Sequence, residues 1–174
     1  MKTSLSFFII NALFCSVFNH VQAQSSAAAD VSATISTPIA IEKISGNDLN
    51  FGNIASGKSA GLVILNTNGV RVSEGGATLP ASTGAVSVAE FLVTGEPLYS
   101  FSITLPSNPI TIVNSVNPAE TMIVDRFISS PEATGTLPGG KQVLKIGARL
   151  QINPGQAPGV YISALPFNVT VNYN

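Results

Sequence analysis

The chain has 174 residues, a net charge of −1 at pH 7, one cysteine, one histidine and no tryptophan. Charged residues make up 10% of it, and its eight lysines and arginines are scattered along the chain. A nucleic-acid-binding surface needs clustered basic residues. We therefore expect no nucleic-acid partner.

Residues 1–23 have the pattern of a secretory signal peptide. Lys2 gives the positive start, an apolar run extends from Leu5 to Phe18, and Ala23 ends a stretch suited to cleavage. The run is shorter than the roughly 20 residues that a membrane-spanning helix needs. We predict a cleaved helical signal peptide, no stable membrane span, and export to the periplasm, the cell surface or the medium.

Cleavage after Ala23 removes Cys15 and His20, which are the only cysteine and the only histidine. The exported chain then has no group for Ser-His-Asp or Cys-His catalysis, no disulfide, and none of the usual ligands for zinc or copper. Its nine acidic residues show no spacing that selects a catalytic pair. We predict a protein that is not an enzyme, with no catalytic residues, no cofactor and no metal.

The exported chain starts with a small, polar stretch. Residues 24–30 predict a flexible arm, and residues 31–174 a single domain. Val31, Ala33 and Ile35 alternate with polar residues, and the alternation resumes at Ile39 after Pro38. We interpret this pattern as two short strand pieces joined at a bend, because proline cannot donate to a sheet ladder.

Short apolar or alternating stretches fill the middle of the chain. They predict strands over residues 49–52, 62–65, 70–72, 85–94, 99–105, 110–113, 122–128 and 143–152. Glycine and proline predict loops over 57–61, 74–84 and 129–140. No segment has a sustained helical period. Many short strands separated by turns predict an all-β fold, an antiparallel β-sandwich.

Residues 52–59 match the phosphate-loop pattern G-x-x-x-x-G-K-S. That loop binds phosphate only where it opens a helix. Here the apolar run Leu62–Leu65 follows, and Asn68-Gly69 then predicts a hairpin. We interpret the match as a loop between strands and expect Lys58 to bind no nucleotide.

The last stretch, residues 160–173, predicts a strand with one core-facing side. That side carries Tyr161, Leu165, Phe167, Val169, Val171 and Tyr173. Pro166 cannot donate a ladder hydrogen bond, so the strand should be an edge or carry a bulge there. An open edge can accept a strand from another chain, and the stretch around Ala33 has a matching alternation.

Two outcomes therefore remain open for the N-terminal residues. In one, they pair beside the last strand of another copy. In the other, they pair within their own domain and close the sandwich. The predicted strand-exchange residues are Val31, Ala33, Ile35, Phe167, Val169, Val171 and Tyr173.

Several phrases resemble one family. They are the stretches 33–41, Asp48-Leu49-Asn50-Phe51-Gly52, Phe91 to Gly95, Gly147-Ala148-x-Leu150, and Gly159-x-Tyr161 with Val169-Thr170-Val171-Asn172-Tyr173. In this order they resemble secreted bacterial β-proteins grouped as domain of unknown function 4402. More distantly, the chain is similar to spore-coat-U-like pilins of archaic chaperone–usher fimbriae. That similarity implies an immunoglobulin-like, pilin-like sandwich, a fimbrial subunit, and a periplasmic chaperone and usher as partners.

Three classes of function follow from these observations. The first is a structural or adhesive cell-surface β-sandwich that associates with itself or with other surface subunits. The second is an extracellular ligand- or carbohydrate-binding module, although the absence of tryptophan disfavours a sugar platform. The third is an enzyme, which no pattern of catalytic residues in the sequence supports.

Overall fold

The computed structural model describes residues 24–174, so the predicted signal peptide lies outside the described residues. Residues 36–174 form one compact unit, and residues 24–35 belong to a separate N-terminal unit. Within residues 24–174, no helix has the length and apolar character to cross a membrane. The fold is all-β, as the turn-separated strands predicted.

The described part of the chain has thirteen strands, with one 3-10 turn at Pro138–Gly140. The strands are β1 (Ala40–Lys43), β2 (Asn50–Phe51), β3 (Ala55–Leu65), β4 (Arg71–Thr78), β5 (Val86–Ser87), β6 (Ala89–Thr94), β7 (Ser100–Thr104), β8 (Ile110–Asn114), β9 (Thr121–Ser130), β10 (Thr134–Thr136), β11 (Lys141–Ile152), β12 (Tyr161–Ser163) and β13 (Thr170–Tyr173).

All strand pairs are antiparallel, and they form one large sheet and two small ones. The large sheet has eight strands in the order β1-β6-β11-β9-β8-β12, with β3 also paired to β11 and β4 paired to β3. One small sheet has the order β10-β7-β13, and the other contains β2 and β5. The apolar faces of these sheets enclose the core, which gives a sandwich-like arrangement.

Strand β11 is the centre of the large sheet. Its first half pairs with β6, its second half with β3, and β9 pairs along its other side. Its alternation works as the sequence predicted, because Leu144, Ile146, Ala148, Leu150 and Ile152 are all buried. Along a strand, every second side chain points to the same face of the sheet.

Strand β9 has a bulge that changes which of its side chains face the core. Asp125 pairs with Arg149 and Ile128 pairs with Gly147, so two residues of β9 lie opposite Ala148. Arg126 takes a φ of 46° there. The extra residue shifts the alternation, and Val124 and Phe127 therefore both contact the core although they are three positions apart.

The core has two clusters of buried residues. The first core cluster contains Phe51, Val63, Leu65, Ala77, Val88, Val124, Ala148, Leu150 and Ile152. The second core cluster contains Ala89, Val93, Phe101, Leu137, Leu144, Ile146 and Val171. Strand β11 contributes to both clusters, so it joins the two halves of the core.

Several sequence-based boundaries are wrong. Residues 31–35 form no strand, since the first strand begins at Ala40, and a single short strand has no stability of its own. Residues 57–61 and 74–78 are not loops but parts of β3 and β4. These two strands pair around an irregularity between Ser56 and Gly61, which their small residues permit. Lys58 therefore lies on a strand. Strand β10, at 134–136, lies inside a predicted loop.

The continuous strand predicted over residues 160–173 is also wrong. Two short strands replace it: β12 pairs with β8 in the large sheet, and β13 pairs with β7 in a small sheet. The chain crosses between the sheets over residues 164–169, which we call the crossing segment. Pro166 lies within it, and Leu165 is 76% exposed and not on a core face.

Candidate functional site

The main concavity of the described chain is an open groove of about 1120 Å³. Its floor consists of apolar side chains from β8, β9 and β11: Ile110, Ile112, Met122, Val124, Phe127, Leu150 and Ile152. One side, the first lip, is residues 157–164, and the opposite side, the second lip, is residues 48–56. Val124, Leu150 and Ile152 are buried members of the first core cluster. The groove thus exposes the partly buried side chains that pack on that cluster: Ile110, Ile112, Met122 and Phe127.

A hydrogen-bond network fixes the first lip. The Gln156 Nε2 donates to Glu120 Oε2 at 3.0 Å and to Tyr161 Oη at 2.9 Å, and Tyr161 Oη donates to the Ala157 carbonyl at 2.7 Å. The Gln156 backbone N–H donates to Ser56 Oγ at 2.9 Å. These contacts tie the first lip to the end of the second.

Asn114 ties the same lip to β8. Its side chain is buried, its Oδ1 accepts from the N–H groups of Val116 and Asn117 at 2.9 and 3.1 Å, and its Nδ2 donates to the Pro158 carbonyl at 3.3 Å. A buried amide with all these partners is a structural group, so Asn114 stabilises the turn and the lip together.

The Arg71 side chain holds the second lip in place. Arg71 Nη1 donates to the carbonyls of Phe51 and Asn53 at 2.5 and 2.9 Å, and the Asn53 N–H donates to the Thr83 carbonyl at 2.7 Å. Lys43 Nζ pairs with Asp48 Oδ1 at 2.9 Å where this lip begins. Both sides of the groove are therefore fixed independently of any occupant.

The crossing segment has an unpaired backbone. Within residues 24–174, no backbone hydrogen bond joins residues 164–169 to another residue. Strand β13 continues this edge, because it pairs with β7 on one side and, among the strands of residues 24–174, with none on the other. The Asn174 N–H donates to the Ser100 carbonyl, so the even-numbered residues of β13 bond to β7. The N–H and C=O groups of Val171 and Tyr173 point to the open side.

The predicted strand-exchange residues fall in three places. Val31, Ala33 and Ile35 are exposed, with 96% of Val31 and 98% of Ile35 accessible. Phe167 lines the groove and contacts Phe127 with 5.2 Å between ring centroids. Val169, Val171 and Tyr173 do not line it; they pack on the second core cluster.

Sequence reasoning missed most of the groove. The side chains of Ile110 and Ile112 form part of its floor, yet their strand gave no sign of an open face. The relevant signal was Pro166, which lies between two strands that belong to different sheets. A proline in a long alternating stretch indicates a place where the ladder ends.

The carboxylates with shifted pKa values are held in their charged form. Arg149 donates from Nε and Nη2 to Asp125 at 2.8 and 2.6 Å, and this contact lowers the pKa of Asp125. Lys145 lies 3.1 Å from Glu90 and lowers the pKa of that carboxyl. A general acid needs a raised pKa. Among residues 24–174, no group of three or more metal-ligating side chains comes together.

The chain was compared with protein families, curated proteins and solved structures. No curated protein and no solved structure matches it. A family model described as a domain of unknown function, DUF4402, matches residues 39–173. This match confirms the resemblance that the sequence phrases indicated. It covers β1 to β13, and the chain therefore belongs to the DUF4402 family.

Proposed function

We propose that this chain is a secreted, non-enzymatic structural subunit of the cell surface, which assembles by accepting a strand from another copy. The observation that carries the proposal is the open apolar groove beside an unpaired backbone edge. A strand laid there would cover apolar side chains and give the free N–H and C=O groups partners. A fimbrial subunit is the form of assembly that fits this chemistry.

The N-terminal arm, residues 24–36, is the segment proposed to fill the groove. It is exposed, contains no strand, and has apolar Val31 and Ile35 on the same face of an extended chain. Its thirteen residues reach about 43 Å when extended. This is long enough for the arm of one copy to enter the groove of a neighbour.

Other features support the remaining parts of the proposal. The leader pattern of residues 1–23 supports export. Charged carboxylates and a sequence without histidine beyond residue 23 support a role that is not catalytic. An empty apolar groove favours aggregation. We therefore include a periplasmic chaperone and an usher among the proposed partners, as proteins that cover the groove before assembly.

A second candidate is a module that binds an apolar ligand. A mostly apolar cleft of about 1120 Å³ is of the size that small-molecule sites have. In that case the occupant would be a small molecule that copurifies with the monomer, and the arm would have no effect on assembly. Carbohydrate is a poorer candidate because the sequence has no tryptophan and the groove floor has one aromatic ring, that of Phe127.

Deletion of residues 24–36 tests the proposal. The truncated protein is expected to remain folded, because β1 to β13 are intact, and to lose all assembly above the monomer. Light scattering of the exported protein measures its size, and its intact mass shows whether the full-length form begins at Gln24.

The matched control deletes residues 24–30 alone, which keeps Val31, Ala33 and Ile35 and should keep assembly. A truncated monomer that unfolds at a clearly lower urea concentration than the full-length monomer would show that the arm closes its own sandwich, against the proposal. Oligomers that persist without residues 24–36 would contradict it as well.

A further inference from the structure

The root of the N-terminal arm is held at one residue, Thr37. Its N–H donates to Glu96 Oε2 at 2.8 Å, and its carbonyl accepts from Tyr173 Oη at 2.7 Å. The Glu96 N–H donates to the same Tyr173 hydroxyl at 2.6 Å. Both backbone groups of Thr37 thus bond to side chains that are 59 and 136 positions away.

Neighbouring residues pack closely around the Tyr173 side chain. The Tyr173 ring packs edge-on against Tyr99 with 5.4 Å between centroids. Gly95 lies against the Tyr173 hydroxyl, where a Cβ atom has no room. The bond from the Thr37 N–H is the main cause that lowers the pKa of Glu96, so the carboxylate stays charged and able to accept.

The position of Thr37 along the sheet matters for where the arm can go. β1 starts at Ala40, opposite Thr94, which pairs with Lys141 at the start of β11. The groove floor includes Leu150 and Ile152 at the other end of β11. Nine to eleven strand residues separate these levels, which is about 30–36 Å at the usual rise. An extended chain spans at most about 3.6 Å per residue. Rooted at Thr37, Val31 to Ile35 therefore extend at most about 22 Å and stop short of the floor of their own groove.

We propose that Thr37, Glu96 and Tyr173 form a latch that fixes the root of the arm at this end and so directs the arm to another copy. The inference rests on the proposed function. A fixed root keeps residues 37–39 from adding to the free chain, and a shorter free chain reaches its own groove less readily. The fixed root also lowers the entropic cost of ordering the arm when it exchanges with a neighbour.

A cysteine pair reports where the arm goes. Ser26→Cys and Ser163→Cys place one thiol near the start of the arm, within extended reach of its own groove or that of another copy, and one on the first lip, in a chain whose residues 24–174 have no cysteine. Oxidation of the full exported protein then gives intermolecular or intramolecular disulfides, which non-reducing gels separate. We expect Tyr173→Phe to lower the ratio of intermolecular to intramolecular product about fivefold, the effect of one typical hydrogen bond.

Three further variants and an independent measurement complete the test. Glu96→Ala should act like Tyr173→Phe, whereas Glu96→Gln keeps one acceptor oxygen and should restore most of the ratio. Tyr99→Phe changes the neighbouring hydroxyl, makes no contact with Thr37, and should have no effect. Amide hydrogen exchange at Thr37 should accelerate in Tyr173→Phe and Glu96→Ala alone, by more than the change in their urea midpoints accounts for.

The outcomes separate the latch from the function it serves. Parent-like exchange at Thr37 in Tyr173→Phe and Glu96→Ala overturns the latch. Accelerated exchange with an unchanged product ratio also overturns it, because the root would then not direct the arm. A parent protein that forms no intermolecular product overturns the proposed function, and the exchange of Thr37 still decides whether the root is fixed.

Discussion

Replacing Ile112 by glutamate is expected to abolish assembly while the monomer remains folded. Ile112 lies on β8, pairs with Met122 and Ser163, and is half-buried on the groove floor. In the empty groove the carboxylate still reaches water. Once a strand occupies the groove the same carboxylate is buried without a partner, which costs several kcal/mol.

Thr111→Glu is the matched control, because residue 111 is next in sequence, exposed, and opposite Ile123 on the same strand pair. It should assemble like the parent. Sedimentation velocity on the three proteins measures the result. Assembly of Ile112→Glu at the parental level would mean that the groove accepts nothing, and equal loss in Thr111→Glu would mean that charge alone blocks association.

Truncation of Phe101 to alanine is expected to cost about 3–5 kcal/mol of the free energy of unfolding. Phe101 is fully buried at 0% exposure in the second core cluster. Its ring also lies directly against Gly135 of β10. Removal of the ring leaves a cavity between β7 and β10 that a short strand cannot close.

Urea unfolding followed by tyrosine fluorescence or circular dichroism measures this loss. Leu98→Ala is the control, because Leu98 is 83% exposed and should change the stability by about 0.5 kcal/mol or less. Equal stability losses in the two variants would contradict the division between core and surface described here.

Regular alternation made parts of the fold predictable. The even-numbered residues of β11 from Leu144 to Ile152 are buried as their spacing indicated, since a period of two assigns each side chain to a face without knowledge of its neighbours. The same rule was insufficient for β9, where the bulge at Arg126 shifts the pattern. A bulge depends on which residue lies opposite, and that information is not local.

The groove was harder to predict from the sequence, because the strands that pair around it are distant along the chain. Alternation over 160–173 suggested one strand, but Tyr161 and Tyr173 belong to different sheets. Which sheet a segment joins depends on the free edges of β8 and β7, which lie 47 or more positions away along the chain. Pro166 marks the break, but the partners on either side are fixed only by the tertiary fold.

The glycine-rich stretches were predicted as loops, but they are parts of strands. Residues 57–61 lack large apolar side chains, so their sequence favoured a loop, yet they belong to β3. The register with β4 pairs Ser56 with Ala77 and Gly61 with Gly75 on either side of the irregularity, and such backbone pairing does not need large side chains. Local propensity is a weak guide where a hairpin partner is already in place.

Disulfide trapping of the arm tests the central claim most directly. Ser26→Cys and Ser163→Cys are introduced together into the full chain, which is exported, oxidised and run on a non-reducing gel. Strand exchange between copies predicts a ladder of dimers, trimers and higher species, which is lost when either cysteine is absent. A single monomeric band with an internal disulfide would contradict the account, because the arm would then fill the groove of its own domain.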